Sequence, residues 1–546
     1  MTNEITGKSP AGLHATDSKR QAASADVFGA TKAHGSSRRT VVETANGKLR
    51  GTISGGVASF KGISYGQSTG GRNRFLPPKP VEPWAGVREA IELGHPCVQT
   101  NEDFAVWLDP MPESEDCLAL NVWAPEHAGP NSKLPVMVWL HGGGYVFGSG
   151  GAPLYDCSIL ADTGNVVAVS INHRLQAFGF TDLSAVGDDY AFSGNAALLD
   201  IVAALQWVRA NIEAFGGDPN NVTLFGQSGG GAKIATLMGM PVAADLFHRA
   251  IVQSGSVFRY RGRAEAEAMT NRMFSVLGIA RNDISALQSV SSDVLLRCGN
   301  QIMSEASGTG HPALKYAPVV DGEILPEEPW RAGAPDLAKH IPLLLGCNLD
   351  ETIIYQSGET QDDAAIAKAV VSATTVYTPD EKRAAELIPV YRRALPELSG
   401  VELVVRISTD LGFWKGAVHH AEMQSKAGAS VYMYRCDWKT PCFDGLWAPH
   451  SVELPFIMGH KTYGSAWDGK DTEAARDAAD PNNLRFGLGD RMLAAWVNFA
   501  RTGNPSLPDL NWPKYSVKAR STMIFDTRTR VVDDPEKDFR LLVSSI

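Results

Sequence analysis

No apolar stretch of 18 residues stands out in this chain, and no apolar segment follows the N-terminus. The sequence therefore predicts neither a membrane span nor a secretory signal, and a cytoplasmic location is expected. Metal and nucleotide signatures are missing too. There is no His-Glu-x-x-His, no Walker loop, and no Gly-x-Gly-x-x-Gly on a strand-to-helix turn. Chemistry without metal or cofactor is the expectation. Positive charge is in deficit, with a net charge of −10. That balance gives no support for a nucleic-acid partner and suits a solvated surface. Cysteine is scarce: seven in 546 residues, an odd number, without zinc spacing. Repeats and long low-complexity linkers are absent. A small-molecule partner, and a monomer or weak homodimer, are expected.

Glycine, by contrast, is plentiful at 53 residues, and two clusters of it carry chemistry. The first is Gly226-Gln227-Ser228-Gly229-Gly230. It follows the apolar run Val222-Thr223-Leu224-Phe225 and precedes a helix expected over Ala232 to Met240. Gly-x-Ser-x-Gly between strand and helix is a nucleophile elbow: a sharp turn in strained backbone that exposes the serine hydroxyl. The second is His141-Gly142-Gly143-Gly144-Tyr145, after the buried-strand pattern Val136 to Leu140. Acyl transfer passes through a tetrahedral oxyanion, and fixed N–H donors aimed at that oxygen lower the barrier. Glycines let a backbone turn its N–H groups inward. Gly143, Gly144 and Gly229 are the expected oxyanion donors, the pairing an α/β-hydrolase uses.

Further segments extend the pattern: Phe60-Lys61-Gly62-Ile63-Ser64-Tyr65-Gly66, Ser114-Glu115-Asp116-Cys117-Leu118, Asn172-His173-Arg174, Gly194-Asn195-Ala196-Ala197-Leu198-Leu199-Asp200 and Phe215-Gly216-Gly217-Asp218-Pro219. With the two glycine clusters, the chain resembles the type-B carboxylesterase family from about residue 40 to about residue 540. That family includes cholinesterases and bacterial para-nitrobenzyl-type esterases, and the resemblance is closest in style to the latter. It implies an α/β-hydrolase fold, with a large, mostly parallel sheet flanked by helices and helical insertions covering the site. It also implies a catalytic acid in a Gly-x-Asn-x-Asp/Gln-Glu pattern after a strand. Here that places Glu351 first and Asp350 as runner-up, within Leu343 to Glu351. The base comes last in chain order. His450, in Pro449-His450-Ser451-Val452-Glu453-Leu454, matches the family's His-x-x-Glu segment, whereas His420 and His460 fit it poorly. Arg74 with Glu115, and Arg174 with Asp200, resemble the family's structural ion pairs. Ser254 and Glu453 resemble its supports behind the histidine. Cys97 and Cys117 match a loop the family usually closes by a disulfide, worth roughly 3 kcal/mol for such a loop, with two free thiols as the alternative in a reducing cytosol. Cys436 and Cys442 form a further possible pair, and Cys157, Cys298 and Cys347 read as buried thiols.

Residues 1–38 are small and polar and read as a flexible extension, leaving 39–546 as a single catalytic domain. Length alone would allow several domains. Nucleophile, acid and base, however, span more than 200 residues and must meet. Strands are expected at 40–42, 48–51, 118–123, 135–140, 166–171, 222–225, 249–253, 341–345 and 431–435. Helices are expected at 196–215, 264–277, 362–371, 380–395, 401–426 and 487–501. Such alternation predicts an α/β sheet, parallel at its centre.

The substrate is the least legible feature. Gln227 stands where many relatives carry a glutamate, which weakens a cationic-substrate reading, and Gly229 stands where relatives carry alanine. Trp107 falls at about the place of the choline-binding tryptophan of cholinesterases. Tyr145, Phe147, Gln227 and Trp447, with Phe178, are the expected lining, and aromatic walls suit apolar acyl or aryl groups. The expected reaction is hydrolysis of a neutral alkyl or aryl ester of small to medium size, with xenobiotic esters among the candidates. Acyl transfer, amide or carbamate hydrolysis, and a catalytically silent binding module remain as alternatives.

Overall fold

The computed structural model describes residues 38–100, 111–256, 258–309, 316–356, 362–374, 381–440, 447–460 and 473–544. Trp107, Cys442 and residues 1–37 of the expected extension lie outside the described residues. Among the described residues, thirteen strands form one mixed sheet. In chain order its members are β1 (Arg38–Thr44), β2 (Gly47–Ser54), β3 (Val57–Ser64), β4 (Val87–Glu89), β5 (Ala119–Pro125), β6 (Leu134–Leu140), β7 (Val167–Ile171), β8 (Gly217–Gln227) and β9 (Arg249–Gln253). A small separate pair, β10 (Arg261–Gly262) and β11 (Val319–Val320), comes next. The sheet resumes with β12 (Leu343–Asn348), β13 (Val431–Cys436), β14 (Ser521–Phe525) and β15 (Arg530–Asp533). The spatial order is β1-β2-β3-β5-β7-β6-β8-β9-β12-β13-β14-β15, with β4 on β2.

From β7 to β14 every pairing is parallel, while both flanks are antiparallel except for β4, which pairs with β2 in parallel. The parallel strands are buried on both faces, as crossover helices require, so they read as continuous apolar runs. Alternation still sorts their side chains. Val136, Val138 and Leu140 of β6 enter one core, and Met137 and Trp139 enter the other. Helices Ala196–Asn211 and Gly229–Leu237 cover the first face. Helix Leu484–Thr502 covers the second with Met492, Leu493, Trp496 and Phe499. A third apolar cluster belongs to the insertion helices Asp363–Ala373, Glu381–Ala394 and Gly400–Thr409.

Several boundaries differ from expectation. β8 runs eleven residues rather than four. The helix after the elbow starts at Gly229, three residues early. The single helix expected over 401–426 is interrupted by a π-helical turn, Asp410–Trp414. One helical stretch, Asp188–Phe215, is long and apolar enough to pass a length-and-hydropathy test for a membrane span, contrary to the expectation that none exists. It is a core helix: 72% of the tested window is buried inside the fold. Cys97 and Cys117 are buried free thiols, one of the two states expected of this pair. They sit close enough that a hydrogen bond to Cys97, together with burial, pushes the Cys117 thiol up. Cys157, Cys298, Cys347 and Cys436 are buried thiols as well.

Candidate active site

The C-terminal ends of the parallel strands gather the side chains singled out in the sequence, which is where open α/β sheets place their ligands. β8 ends at Gln227 and helix Gly229–Leu237 begins two residues later, so Ser228 is the whole turn. Its φ is 55° and its ψ −124°, outside the helix and strand regions. Two hydrogen bonds hold it there: Ser228 N–H donates to the Gln253 carbonyl at 2.8 Å, and Ala232 N–H donates to the Ser228 carbonyl at 3.0 Å. From Val222 to Gly230 every residue except Ser228 is buried, so the turn presents the serine alone.

β12 ends at Asn348 and passes through Leu349 and Asp350 into a 3₁₀ turn whose first residue is Glu351. Strands β8 and β12 are separated only by β9. Two strand spacings amount to about 9.5 Å, a gap that an imidazole and a carboxylate side chain can bridge. His450 lies in the loop between β13 and helix Leu454–Met458. Its Nδ1 bonds Oε2 of Glu351. Its Nε2 accepts from the Gln227 side-chain amide at 3.0 Å. A carboxylate only accepts, so Nδ1 carries the proton and Nε2 presents a lone pair toward the elbow. The Phe413 ring, carried on the π-helical turn, packs against the imidazole with centroids 5.3 Å apart. Such turns recur at functional sites because they re-aim one side chain within a helix.

Glu351 is fully buried (0% exposed) and His450 nearly so (4%). The other carboxylate oxygen of Glu351 accepts from Ser254 Oγ and from Asn348 N–H, both at 2.6 Å. Ser254 therefore bonds Glu351 directly. Glu453 stands one layer further back: its carboxylate accepts from Asn348 Nδ2 at 2.8 Å and from Gln253 Nε2 at 3.1 Å. Burial, then the Glu351 charge, pushes Glu453 up from the usual carboxylate range. Asp350 points elsewhere: its Oδ2 accepts from Ala448 N–H at 2.9 Å, and burial raises it to about 6. His420 and His460 bond other partners. His420 bonds Ser256 Oγ at 3.0 Å and burial holds it at about 3, while His460 bonds the Asp156 carbonyl at 3.0 Å.

The loop after β6 lies against the elbow. Gly143 has φ 86°, and a Cβ there would meet the Phe147 carbonyl oxygen at 2.2 Å, so only glycine fits. A Cβ on Gly229 would lie 2.2–2.5 Å from the backbone of Gly144. Gln99 clamps the far side of the loop, donating to the Gly148 carbonyl at 3.0 Å and accepting from Gly148 N–H at 2.6 Å. Among the expected lining residues, Tyr145 and Phe147 are half-buried, and Tyr145 packs edge-on against Phe180. Phe178 is buried in the main core. Trp447 packs with Ile353 and Val405 in a small apolar cluster. Gln227 is buried and turns its amide to His450. Asn348, Gln253, Gln99 and Lys233 were not singled out from sequence. Asn348 alone carried a signal, standing inside the Gly-x-Asn-x-Asp-Glu pattern.

A serine elbow at the carboxyl edge of a mainly parallel sheet defines an α/β-hydrolase. The Carboxylesterase family model matches residues 38–540. Over 503 residues the chain is 39% identical to the para-nitrobenzyl esterase of Bacillus subtilis (strain 168), covering 92% of this chain and 97% of that protein. A solved PNB esterase structure superposes with a TM-score of 0.80 at 36% identity, covering 93% of this chain and 99% of that one. A Geobacillus stearothermophilus carboxylesterase structure gives 0.78 at 36% identity, covering 92% of this chain and 100% of that one. The chain belongs to the carboxylesterase family, and it is an enzyme of that class.

Proposed function

We propose that this carboxylesterase hydrolyses neutral alkyl or aryl esters of small to medium size through an acyl-enzyme on Ser228. His450 is the general base and Glu351 orients it. The observation that carries this reading is the buried His450–Glu351 pair, whose second imidazole nitrogen meets the side chain of Gln227, the residue next to Ser228. A serine hydroxyl is a poor nucleophile at neutral pH, so His450 Nε2 takes its proton as Oγ attacks the ester carbonyl. The oxyanion that forms is held by N–H groups of Gly143, Gly144 and Gly229. Glu351 keeps the proton on Nδ1 and stabilises the imidazolium. The tetrahedral species then collapses, the C–O bond to the alcohol breaks, and the imidazolium gives its proton to the leaving alkoxide. Water, deprotonated by His450, clears the acyl group by the same steps in reverse order. Tyr145 and Phe147, half-buried beside the loop, supply apolar contact for the ester, and the neutral Gln227 amide offers no charge to attract a cationic substrate.

A panel of para-nitrophenyl esters from acetate to palmitate tests this reading. Wild type is expected to prefer short acyl chains and to show a burst of para-nitrophenol as the acyl-enzyme fills. Ser228→Ala is expected to lose activity on the order of 10⁶-fold. Full turnover by Ser228→Ala would overturn the nucleophile assignment. A preference for palmitate would overturn the substrate size.

A further inference from the structure

Beneath the elbow lies a group of nitrogen-bearing side chains that the proposed triad does not use. Lys233, on helix Gly229–Leu237, is 0% exposed. Its Nζ donates to the main-chain carbonyl of His141 at 3.3 Å and lies 5.9 Å from the centroid of the Tyr145 ring. The His141 ring stacks on His173 with centroids 4.6 Å apart and planes 5° from parallel. Each imidazole is held through Nδ1, His141 on the Gly142 carbonyl at 2.8 Å and His173 on the Arg174 carbonyl at 2.7 Å. Carbonyls only accept, so both Nδ1 atoms carry protons. Both Nε2 atoms are buried without a hydrogen-bond partner among the described residues. Burial first, and the Lys233 charge second, keep both rings well below the usual histidine range and therefore neutral.

These contacts form a chain that ends in the oxyanion loop. The Gly142 carbonyl and the Gly143 N–H belong to one peptide group. A donor on the carbonyl polarises that group and strengthens its N–H as a donor in turn. We infer that Lys233 is a positioning residue for ester hydrolysis. Through the His141 carbonyl it fixes the imidazole that loads the Gly142–Gly143 peptide, and so sets how strongly the Gly143 N–H holds the oxyanion. This rests on the assignment of Gly143 as an oxyanion donor proposed above. Packing alone does not explain the residue, because an apolar side chain of similar volume would fill the site without the cost of burying an amine.

The arrangement has a pH signature. An ammonium donates a stronger hydrogen bond than an amine and adds positive charge beneath the loop. Burial draws Lys233 down to about 7, so its charge changes within the working range. The groups facing it are His141 and His173, whose charging it opposes, and the Tyr145 ring. The Arg259 charge acts on Tyr145 from the next element, and no carboxylate pairs with Lys233 among the described residues. As pH rises through about 7 the ammonium is lost and oxyanion stabilisation weakens. That decline gives the kcat profile an alkaline limb.

The test measures kcat and KM with para-nitrophenyl butyrate from pH 5.5 to 9.5 for wild type, Lys233→Met, Lys233→Gln and Ser228→Ala. Lys233→Met is expected to fold with an unfolding midpoint no lower than wild type. Its kcat should fall about tenfold, a fraction of the 10²–10³ that loss of a whole donor brings. KM should stay within about threefold, and the alkaline decline should vanish. Lys233→Gln, a neutral donor, should keep part of kcat and show no alkaline decline. It carries the same comparison if the methionine variant fails to fold. Wild-type kcat with an unchanged profile in either variant overturns the inference, as does a lowered kcat that keeps the alkaline limb. An inactive Ser228→Ala beside an unaltered Lys233→Met overturns this inference alone. An active Ser228→Ala overturns the triad reading and this inference with it.

Discussion

Two neighbouring carboxylates at the end of β12 show how one residue of spacing decides which partner a side chain meets. Glu351 meets the imidazole of His450, and Asp350 turns to the Ala448 N–H. Truncating Glu351 to alanine leaves the imidazole without its orienting partner, and kcat is expected to fall about 10⁴-fold. Asp350→Asn keeps an acceptor for Ala448 and should stay within about threefold of wild type. Activity on para-nitrophenyl acetate separates the two. The same pair of variants carries a stability signature. Asp350 is raised from 3.8 to about 6 by burial, so between those values the folded chain holds a proton that the unfolded chain has released. Its contribution to stability is present below the lower value and is lost as pH rises through the higher one. Asparagine cannot ionise. Asp350→Asn should therefore unfold at a higher temperature than wild type at pH 8 and show no such gain at pH 4. An equal difference at both pH values would mean that Asp350 is not the titrating group.

At the scale of elements, the strongest motifs were legible and their surroundings were not. The elbow, the His-Gly-Gly-Gly loop and the strands feeding them could be read from apolar runs bounded by glycine. The helix after Ser228 was expected to start at Ala232, because glycine is a poor helix former. It starts at Gly229, because packing against β8 and β9 overrides propensity. The π-helical turn that presents Phe413 has no sequence signature, and the Lys233 contacts depend on β6, β7 and a helix meeting in space. Glu351 and His450 were reached only by resemblance, since an Asp-Glu pair and a lone histidine say little by themselves. Gly229 joins two of these elements. The Gly144 backbone already fills the space a methyl would need, although alanine is the residue the family resemblance would put there. Gly229→Ala must therefore push the loop off the elbow. It should lower kcat by about 10- to 100-fold while leaving KM and the unfolding midpoint nearly unchanged. Unaltered kcat would show that the loop tolerates the shift.

Across the whole molecule, segments far apart in the chain have to be held against one another, and two ion pairs with little solvent exposure do this. Arg174, just past β7, donates to Asp200 on helix Ala196–Asn211 at 2.6 and 2.8 Å, and to the Leu76 carbonyl at 2.7 Å. Arg74 pairs with Glu115 and also donates to carbonyls of Gln288 and Val290, at 3.0 and 2.6 Å. Each guanidinium thus ties segments from distant parts of the chain, which apolar packing alone would leave free to slide. Both residues of the Arg174–Asp200 pair are at most 1% exposed, so screening by solvent is slight. Removing one partner strands a buried charge. Asp200→Ala is expected to destabilise by about 3–5 kcal/mol, whereas replacing both partners with apolar residues of similar volume is often neutral. A chain of this length is prone to unfold irreversibly, so the measured quantity is the half-life at a fixed elevated temperature. Asp200→Ala should shorten it sharply, and Arg174→Met with Asp200→Leu should recover most of the loss. If the double variant is as short-lived as the single one, the hydrogen bonds to Leu76 and the helix, rather than charge pairing, hold these segments together.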